Sequence, residues 1–323
     1  MILAPHYHIL ASGTFATNFL TEPLNYSFVH RAILAASIMA LVAGLLSCWL
    51  VLIGWSLLGD AISHAILPGV VIAYSLSLPY AVGAVAAALV AVWLVGTVRE
   101  QTSLKEDTSI GIVFTAMFAL GLVLISVTPA ATHMQEILFG NLLGISDTSL
   151  WQIIGFGGAA VLVIVCAGRA FTLWAFDANH AHTVGFNTRL IRWLLLGCMA
   201  CVVVASVQAV GVILVVAMLI TPGATAYLLI RRMSVMLVLS PVVALFSALA
   251  GIWLSFNWDV STGGTIVLVQ AAIFTLVYLF APREGVVVRR RRSTRNSSTT
   301  LWNQTGSQTS AQTGDAVTSD EPN

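Results

Sequence analysis

The chain has 323 residues, of which 58% are hydrophobic and only 8% are charged, and its mean hydropathy is +0.94. A soluble domain carries about 25% charged residues, so this composition excludes an ordinary soluble protein and predicts an integral membrane protein. The net charge is +1, and the basic residues form no patch apart from Arg289 to Arg292, which argues against a nucleic-acid partner. The four cysteines lie in apolar segments and predict no disulfide framework.

The two ends of the chain differ in composition from the middle. Residues 1–30 lack the charged start and apolar core of a cleaved signal peptide, and we expect an interfacial or irregular lead-in there. Residues 283–323 are rich in Ser, Thr, Gln and Asn, which predicts a disordered cytoplasmic tail. Its arginines are expected to contact the anionic lipid of the inner membrane surface.

Between these ends, residues 31–282 predict an all-α membrane domain of eight or nine transmembrane helices. Each predicted span is long enough to cross about 30 Å of hydrocarbon. The number of spans stays open because the two predicted spans between 191 and 230 are the least certain. Pro68 and Pro222 can also kink or break the helices that contain them. The predicted spans are 32–53, 57–78, 80–98, 110–129, 150–168, 191–208, 210–230, 235–255 and 263–281.

The distribution of arginine and lysine predicts the orientation of these spans, because cytoplasmic loops hold the excess of both residues. With nine spans, the basic loops all fall on one side, which should be the cytoplasm. The loops around 131–149 and 256–262 contain neither residue and should face outward. Arg31 fits this assignment poorly. The basic loops are those with Arg99 and Lys105, with Arg169, Arg189 and Arg192, with Arg231 and Arg232, and with the Arg289 cluster.

Asp60 and His64 lie one helical turn apart inside the second predicted span. Ionisable residues are costly in lipid and usually face a cavity on an ion or proton path. The i, i+4 spacing places both on one helix face, and an imidazole beside a carboxylate suits a divalent first-row metal ion. The alternative is a packing role, in which the carboxylate and the imidazole hydrogen-bond to neighbouring helices.

Five segments occur in an order that resembles the manganese, zinc and iron permease family of ABC transporters. Together they extend over most of residues 25–282. The tryptophan and serine before the Asp60 motif are more similar to the manganese and iron branch than to the zinc branch. The segments are GWSLLGDAISHAILPGVVIAY, LKEDTSIGIVFTAMFALGLVLIS, DANHAHTVGFNTRLIRWLLL, SVQAVGVILVVAMLITPGATAYLL and TGGTIVLVQAAIFTLVYLFAP.

This resemblance implies the permease fold of the vitamin B12 importers, which are type II ABC importers. It implies a homodimer or a heterodimer with a second permease, two cytoplasmic ATPase subunits, and an external metal-binding protein that delivers the ion. It places the intramembrane metal site on Asp60 and His64, with two copies brought together at a two-fold dimer interface. The sequence has no GxxxxGK[ST] motif, so ATP hydrolysis is expected from a separate subunit.

Two polar segments are further candidates. The stretch from Asp177 to Arg192 interrupts two apolar spans on the arginine-rich side, where the resemblance places the segment that meets the ATPase. Its residues Asp177, His180, Gly185 and Asn187 are predicted to transmit ATPase movement; the alternative is an ordinary loop whose arginines fix topology. On the outer side, three residues are candidates for a gate or a docking contact: His133, Gln135 and Glu136.

These observations predict the permease subunit of an importer in a bacterial inner membrane. Its substrate is predicted to be manganese or iron, with zinc next, and no permanently bound cofactor or enzymatic activity is expected. The alternative from another class is a self-sufficient secondary transporter or channel for divalent cations. Such a carrier normally has several ionisable residues in its spans, whereas the ion path predicted here depends almost entirely on one pair, Asp60 and His64.

Overall fold

The computed structural model describes residues 26–103, 106–128 and 144–281, and every regular element in these ranges is helical. The predictions for the lead-in before residue 26 and for the tail after residue 281 lie outside the described residues. The helices are α1 (Ser27–Ile53), α2 (Ser56–Ala65), α3 (Leu67–Ser75), α4 (Tyr80–Gln101), α5 (Glu106–Val127), α6 (Asp147–Phe176), α7 (Ala178–Thr183), α8 (Thr188–Val210), α9 (Val212–Leu229), α10 (Met233–Trp258) and α11 (Thr262–Phe280).

The described helices provide nine candidate membrane spans, with α2 and α3 together forming the second. The predicted all-α, multi-span fold is therefore confirmed, and the open count becomes nine within these ranges. The fifth span is the one that differs most from the prediction of 150–168. Helix α6 has 30 residues, or about 45 Å, and it begins three residues before and ends eight residues after the predicted span.

Helix α1 occupies the centre of the bundle and packs against α6, α9 and α10. Its buried side chains include Met39, Leu46 and Leu50. One compact unit ends at Phe274, inside α11, and a second unit begins at Thr275.

Pro222 lies inside α9 without ending it. Proline frees backbone groups of its own helix, and these groups need other partners inside a membrane. Ser47 of α1 bonds to backbone groups on both sides of Pro222, because its Oγ accepts a hydrogen bond from the Gly223 amide at 2.9 Å and donates to the Ile220 carbonyl at 3.2 Å. A hydroxyl on a neighbouring helix therefore supports α9 next to its proline.

Pro241, inside α10, lies at a second close contact with α1. A Cβ atom added at Gly44 would lie 2.8 Å from the Cα atom of Pro241, so only glycine allows the two helices to approach this closely. The Oγ of Ser240 donates to the Gly44 carbonyl at 2.6 Å. Both buried prolines thus lie beside serine hydroxyls at helix contacts with α1.

Arg31, which fits the predicted charge distribution poorly, forms an ion pair. Its guanidinium lies 2.7 Å from the Asp147 carboxylate, and this contact joins the N-terminal ends of α1 and α6. Both ends are on the side that the arginine distribution predicts to be external.

We expect this ion pair to contribute little to stability. The two side chains are 49% and 72% exposed, and exposed pairs contribute about 0–1 kcal/mol. Asp147→Asn should therefore change the free energy of unfolding by less than about 1 kcal/mol, measured by thermal unfolding in detergent at low and high salt. A larger loss that persists in high salt would mean that Asp147 has another role.

Candidate metal site

The span that contains Asp60 and His64 is divided into two helices. Gly54 ends α1 in the left-handed conformation, with φ of 87°, and allows the chain to turn back into α2. Helix α2 ends at Ala65, and Pro68 stands in the first turn of α3, where its missing N–H is tolerated. The predicted effect of Pro68 is confirmed, and the metal-site residues lie on the first, ten-residue helix.

Asp60 and His64 lie on a partly exposed face of α2, with His64 beside α5. The Nε2 atom of His64 is 3.5 Å from Oδ1 of Asp60. The side chain of His64 is 29% exposed and that of Asp60 is 43% exposed, and Leu57, on the same face, is 53% exposed. The opposite face of α2 buries Leu58 and Ile62. Both ionisable groups are therefore accessible to something outside this chain.

The imidazole of His64 is held by two aromatic rings of α5. Its ring centroid lies 5.5 Å from that of Phe114 and 5.3 Å from that of Phe118, both in edge-to-face arrangements. The two phenylalanines stack on each other at 5.9 Å. This contact limits how His64 can rotate and fixes the side of the ring that meets Asp60. These phenylalanines are not among the residues predicted from sequence. Their i, i+4 spacing places them on one face of a helix, but it does not show that this face packs against α2.

The described part of the chain offers two candidate ligands at this site, Asp60 and His64. Among the described residues no group of three or more histidine, cysteine, aspartate and glutamate side chains is close enough to hold a metal ion. Within that same part of the chain, the ion-pair partner of Asp60 is His64 on its own helix, and the buried Nδ1 of His64 has no hydrogen-bond partner. The helix-to-helix hydrogen bonds of the packing interpretation are not found there.

The segment between α6 and α8 contains the short exposed helix α7. The carboxylate of Asp177 caps α7 by accepting hydrogen bonds from the amides of Asn179 and His180, at 2.9 and 3.0 Å. Gly185, with φ of 95°, turns the chain after α7. Asn187 then caps α8 through its side-chain oxygen. The structure thus brings the four predicted residues together in one surface element.

Helix α7 is exposed except for Ala181, which is fully buried. A single buried contact fixes the helix to the bundle while its polar face stays accessible. The outer candidates His133, Gln135 and Glu136 lie outside the described residues.

The fold defines a class of protein, a multi-span helical membrane protein. Comparison with protein families matches residues 25–281 to the ABC 3 transport family. The chain is 44% identical, over 278 residues, to the manganese transport system membrane protein MntB of Synechocystis sp., covering 85% of this chain and 91% of the relative. It is 44% identical, over 261 residues, to the chelated iron transport system membrane protein YfeD of Yersinia pestis, covering 81% and 88%.

A solved structure agrees with these sequence matches. PsaBC from Streptococcus pneumoniae, in complex with Fab, superposes with a TM-score of 0.75 at 34% identity, covering 83% of this chain and 97% of that chain. The chain therefore belongs to the ABC 3 transport family and is a membrane permease of an ABC transporter. Such a subunit is embedded in the membrane and is a transport protein rather than an enzyme.

Proposed function

We propose that this chain is the permease of an ATP-driven importer in a bacterial inner membrane, and that it moves manganese or ferrous iron, with zinc as the next candidate. The ion passes a site made by Asp60 and His64 of two permease chains. The observation that carries this proposal is the partly exposed pair on α2, which offers two ligands where a metal ion needs more, while the described residues place no third candidate ligand beside them.

A two-fold dimer meets this need with no additional residue types. An interface around a two-fold axis presents the same patch from both chains, so a second copy brings a second carboxylate and a second imidazole to the axis. The exposed Leu57 adds apolar surface to the same face. The position of α2 beside the aromatic rings of α5 keeps the imidazole orientation fixed while the chains approach.

The ligand chemistry supports a divalent first-row metal as the substrate. Two nitrogens and two carboxylates form a mixed shell that accepts manganese, ferrous iron or zinc, with water or bidentate oxygens raising the coordination number. The names of the relatives favour manganese and iron over zinc. A metal ion bound here is cargo, and the carboxylates supply the negative charge while the imidazoles supply nitrogen ligands.

The proposal requires partners. Two cytoplasmic ATPase subunits hydrolyse ATP, an external metal-binding protein delivers the ion, and a second permease, identical or different, completes the dimer. A self-sufficient secondary carrier, the alternative from sequence, needs none of these and is disfavoured by membership of an ABC family.

The experiment is uptake of radioactive manganese, iron and zinc by vesicles that contain this chain together with its ATPase and delivery partners. We expect uptake of manganese or iron that requires ATP and both partners. ATP-independent uptake driven by a proton gradient would support the secondary carrier and contradict the proposal.

Helix α7 is proposed to transmit movement of the ATPase to the spans. It is short and exposed, and its segment connects α6 to α8. Asp177 caps the start of α7, and Asn187 caps the start of α8. A displacement of α7 by the ATPase therefore moves the ends of two membrane helices together. Such a movement can drive a rigid-body change between two states.

Removing the cap should uncouple this element. Asp177→Ala deletes both side-chain hydrogen bonds at the start of α7, a loss of about 0.5–2 kcal/mol for that helix. We expect metal uptake to fall severalfold while the assembled complex still hydrolyses ATP, measured as the ratio of ions transported to ATP consumed. Asn179→Ala is the matched control, because only the backbone amide of Asn179 takes part in the cap. An equal ratio in both variants would show that the cap has no coupling role.

A further inference from the structure

A groove of about 590 Å³ lies between α6 and α10 and has α1 as its floor. The groove exists because α6 and α10 both pack on α1 and leave space beside each other. Its walls are mainly apolar and include Leu45, Ile164, Leu173 and Leu237. It takes no part in the candidate metal site, whose residues lie on α2 and α5.

Two polar side chains that line the groove, Trp49 of α1 and Thr172 of α6, already have hydrogen-bond partners. The indole Nε1 of Trp49 donates a hydrogen bond to the Thr172 hydroxyl at 3.1 Å, and this hydroxyl donates to the Gly168 carbonyl at 2.8 Å. Gly168 leaves room above the indole, because an added Cβ would meet the ring only at an ordinary contact distance of 3.7 Å. This part of the groove therefore offers apolar surface rather than polar ligands.

The position of the groove along α6 corresponds to the edge of the hydrocarbon. Arg169 lines the groove and lies about 33 Å along the helix from Asp147, just beyond the roughly 30 Å thickness of a hydrocarbon core. Met233, on the opposite wall, follows Arg231 and Arg232 in sequence. These arginines are on the side that the charge distribution assigns to the cytoplasm, so the groove opens at the inner leaflet.

Arg169 is the charged residue of the groove wall. Its side chain is exposed, and within the described ranges it makes no hydrogen bond or ion pair. A guanidinium pairs strongly with phosphate, and its apolar stem packs along an apolar wall. A water-soluble anion would use the guanidinium and leave the apolar surface unused. A phospholipid uses both.

We propose that this groove binds one phospholipid with an anionic headgroup from the inner leaflet. Its phosphate contacts Arg169, and one acyl chain lies between α6 and α10 over Trp49. Charge complementarity selects the headgroup, since each arginine near an anionic membrane surface favours such lipids. The bound lipid fills the space between two spans, and one of them, α6, leads directly into α7.

The test uses the full chain with its ATPase partner, purified from nanodiscs of phosphatidylcholine with and without phosphatidylglycerol. Native mass spectrometry counts the lipids that each chain retains. The variants are Arg169→Gln, which removes the charge, Arg169→Lys, which keeps it, and Gly168→Leu, which fills the groove above the indole. The control is Gly158→Leu on the same helix, where an added Cβ meets nothing within 4 Å.

We expect the wild-type chain to retain phosphatidylglycerol in preference to phosphatidylcholine, and Arg169→Gln to lower that retention about fivefold, as the loss of one interfacial arginine predicts. Gly168→Leu should lose the lipid with the charge intact, while Arg169→Lys and Gly158→Leu should keep it. Equal retention of both lipids by the wild type, or unchanged retention in Arg169→Gln and Gly168→Leu, would overturn the proposal. So would reduced ATPase association with an unchanged lipid count, because the groove would then be a protein contact.

Discussion

Asp60→Asn and His64→Ala are each expected to abolish metal uptake. The first substitution keeps the shape of the side chain and removes its negative charge, and the second removes the nitrogen ligand. Loss of an outer partner of a metal ligand already lowers affinity or activity by about 10- to 100-fold, so loss of a direct ligand should lower uptake by about a hundredfold or more. The measurement is the initial rate of ATP-dependent manganese uptake in vesicles.

The control for these variants is Asp147→Asn, which makes the same chemical change in an exposed carboxylate of α6. It should keep uptake near the wild-type rate. Assembly with the ATPase is measured in parallel by gel filtration, so that a folding defect is recognised. If assembled Asp60→Asn and His64→Ala proteins transport at rates similar to the wild type, the two residues have a packing role and the proposed site is wrong.

Gly69→Ala is expected to destabilise the contact between α3 and α4. The two backbones meet so closely here that an added Cβ would overlap the Gly83 carbonyl oxygen and lie 2.6 Å from the Cβ of Ala87. Backbone cannot move aside as a flexible side chain can, so the helices must separate. Overpacking of this kind costs about 1–3 kcal/mol or more. We expect a lower thermal unfolding midpoint in detergent, and lower uptake because α3 continues from the helix with Asp60 and His64.

Gly111→Ala is the matched control, since it makes the same substitution within α5, where an added Cβ meets nothing within 4 Å. Alanine is favoured over glycine inside a helix by about 0.5–1 kcal/mol, so this variant should unfold at the wild-type temperature or above it. Gly83→Ala should behave like Gly69→Ala, because its added Cβ would overlap the Gly69 carbonyl oxygen. An unchanged midpoint for Gly69→Ala would contradict the close contact of the two helices.

The membrane spans are predictable from sequence because the bilayer imposes a length and a composition on each one. The ends of the spans are less predictable. Helix α6 continues past Arg169 to Phe176, whereas the span predicted from hydropathy ends at residue 168, just before this charged residue. A long arginine side chain at the membrane edge is compatible with a continuing helix, and only neighbouring helices decide where the helix ends.

Interactions between distant segments explain most of what the sequence left open. Pro68 and Pro222 give the same local signal, yet the chain divides just before Pro68, at Ile66, and continues through Pro222. The backbone beside Pro222 has a partner in Ser47, on another helix, that local sequence cannot identify. Likewise, the i, i+4 spacing of Asp60 and His64 predicts their proximity, but the rings that orient His64 belong to α5.

The most direct test of the proposed site is the ratio of manganese to protein in the purified, assembled transporter, measured by elemental mass spectrometry after gel filtration. Because the described residues of one chain offer two candidate ligands and the proposed site joins two permeases, we expect about one manganese ion per two chains in the wild type and none in Asp60→Asn. A full complement of manganese in Asp60→Asn, or binding of one ion by each separate chain, would contradict a site shared between two permeases.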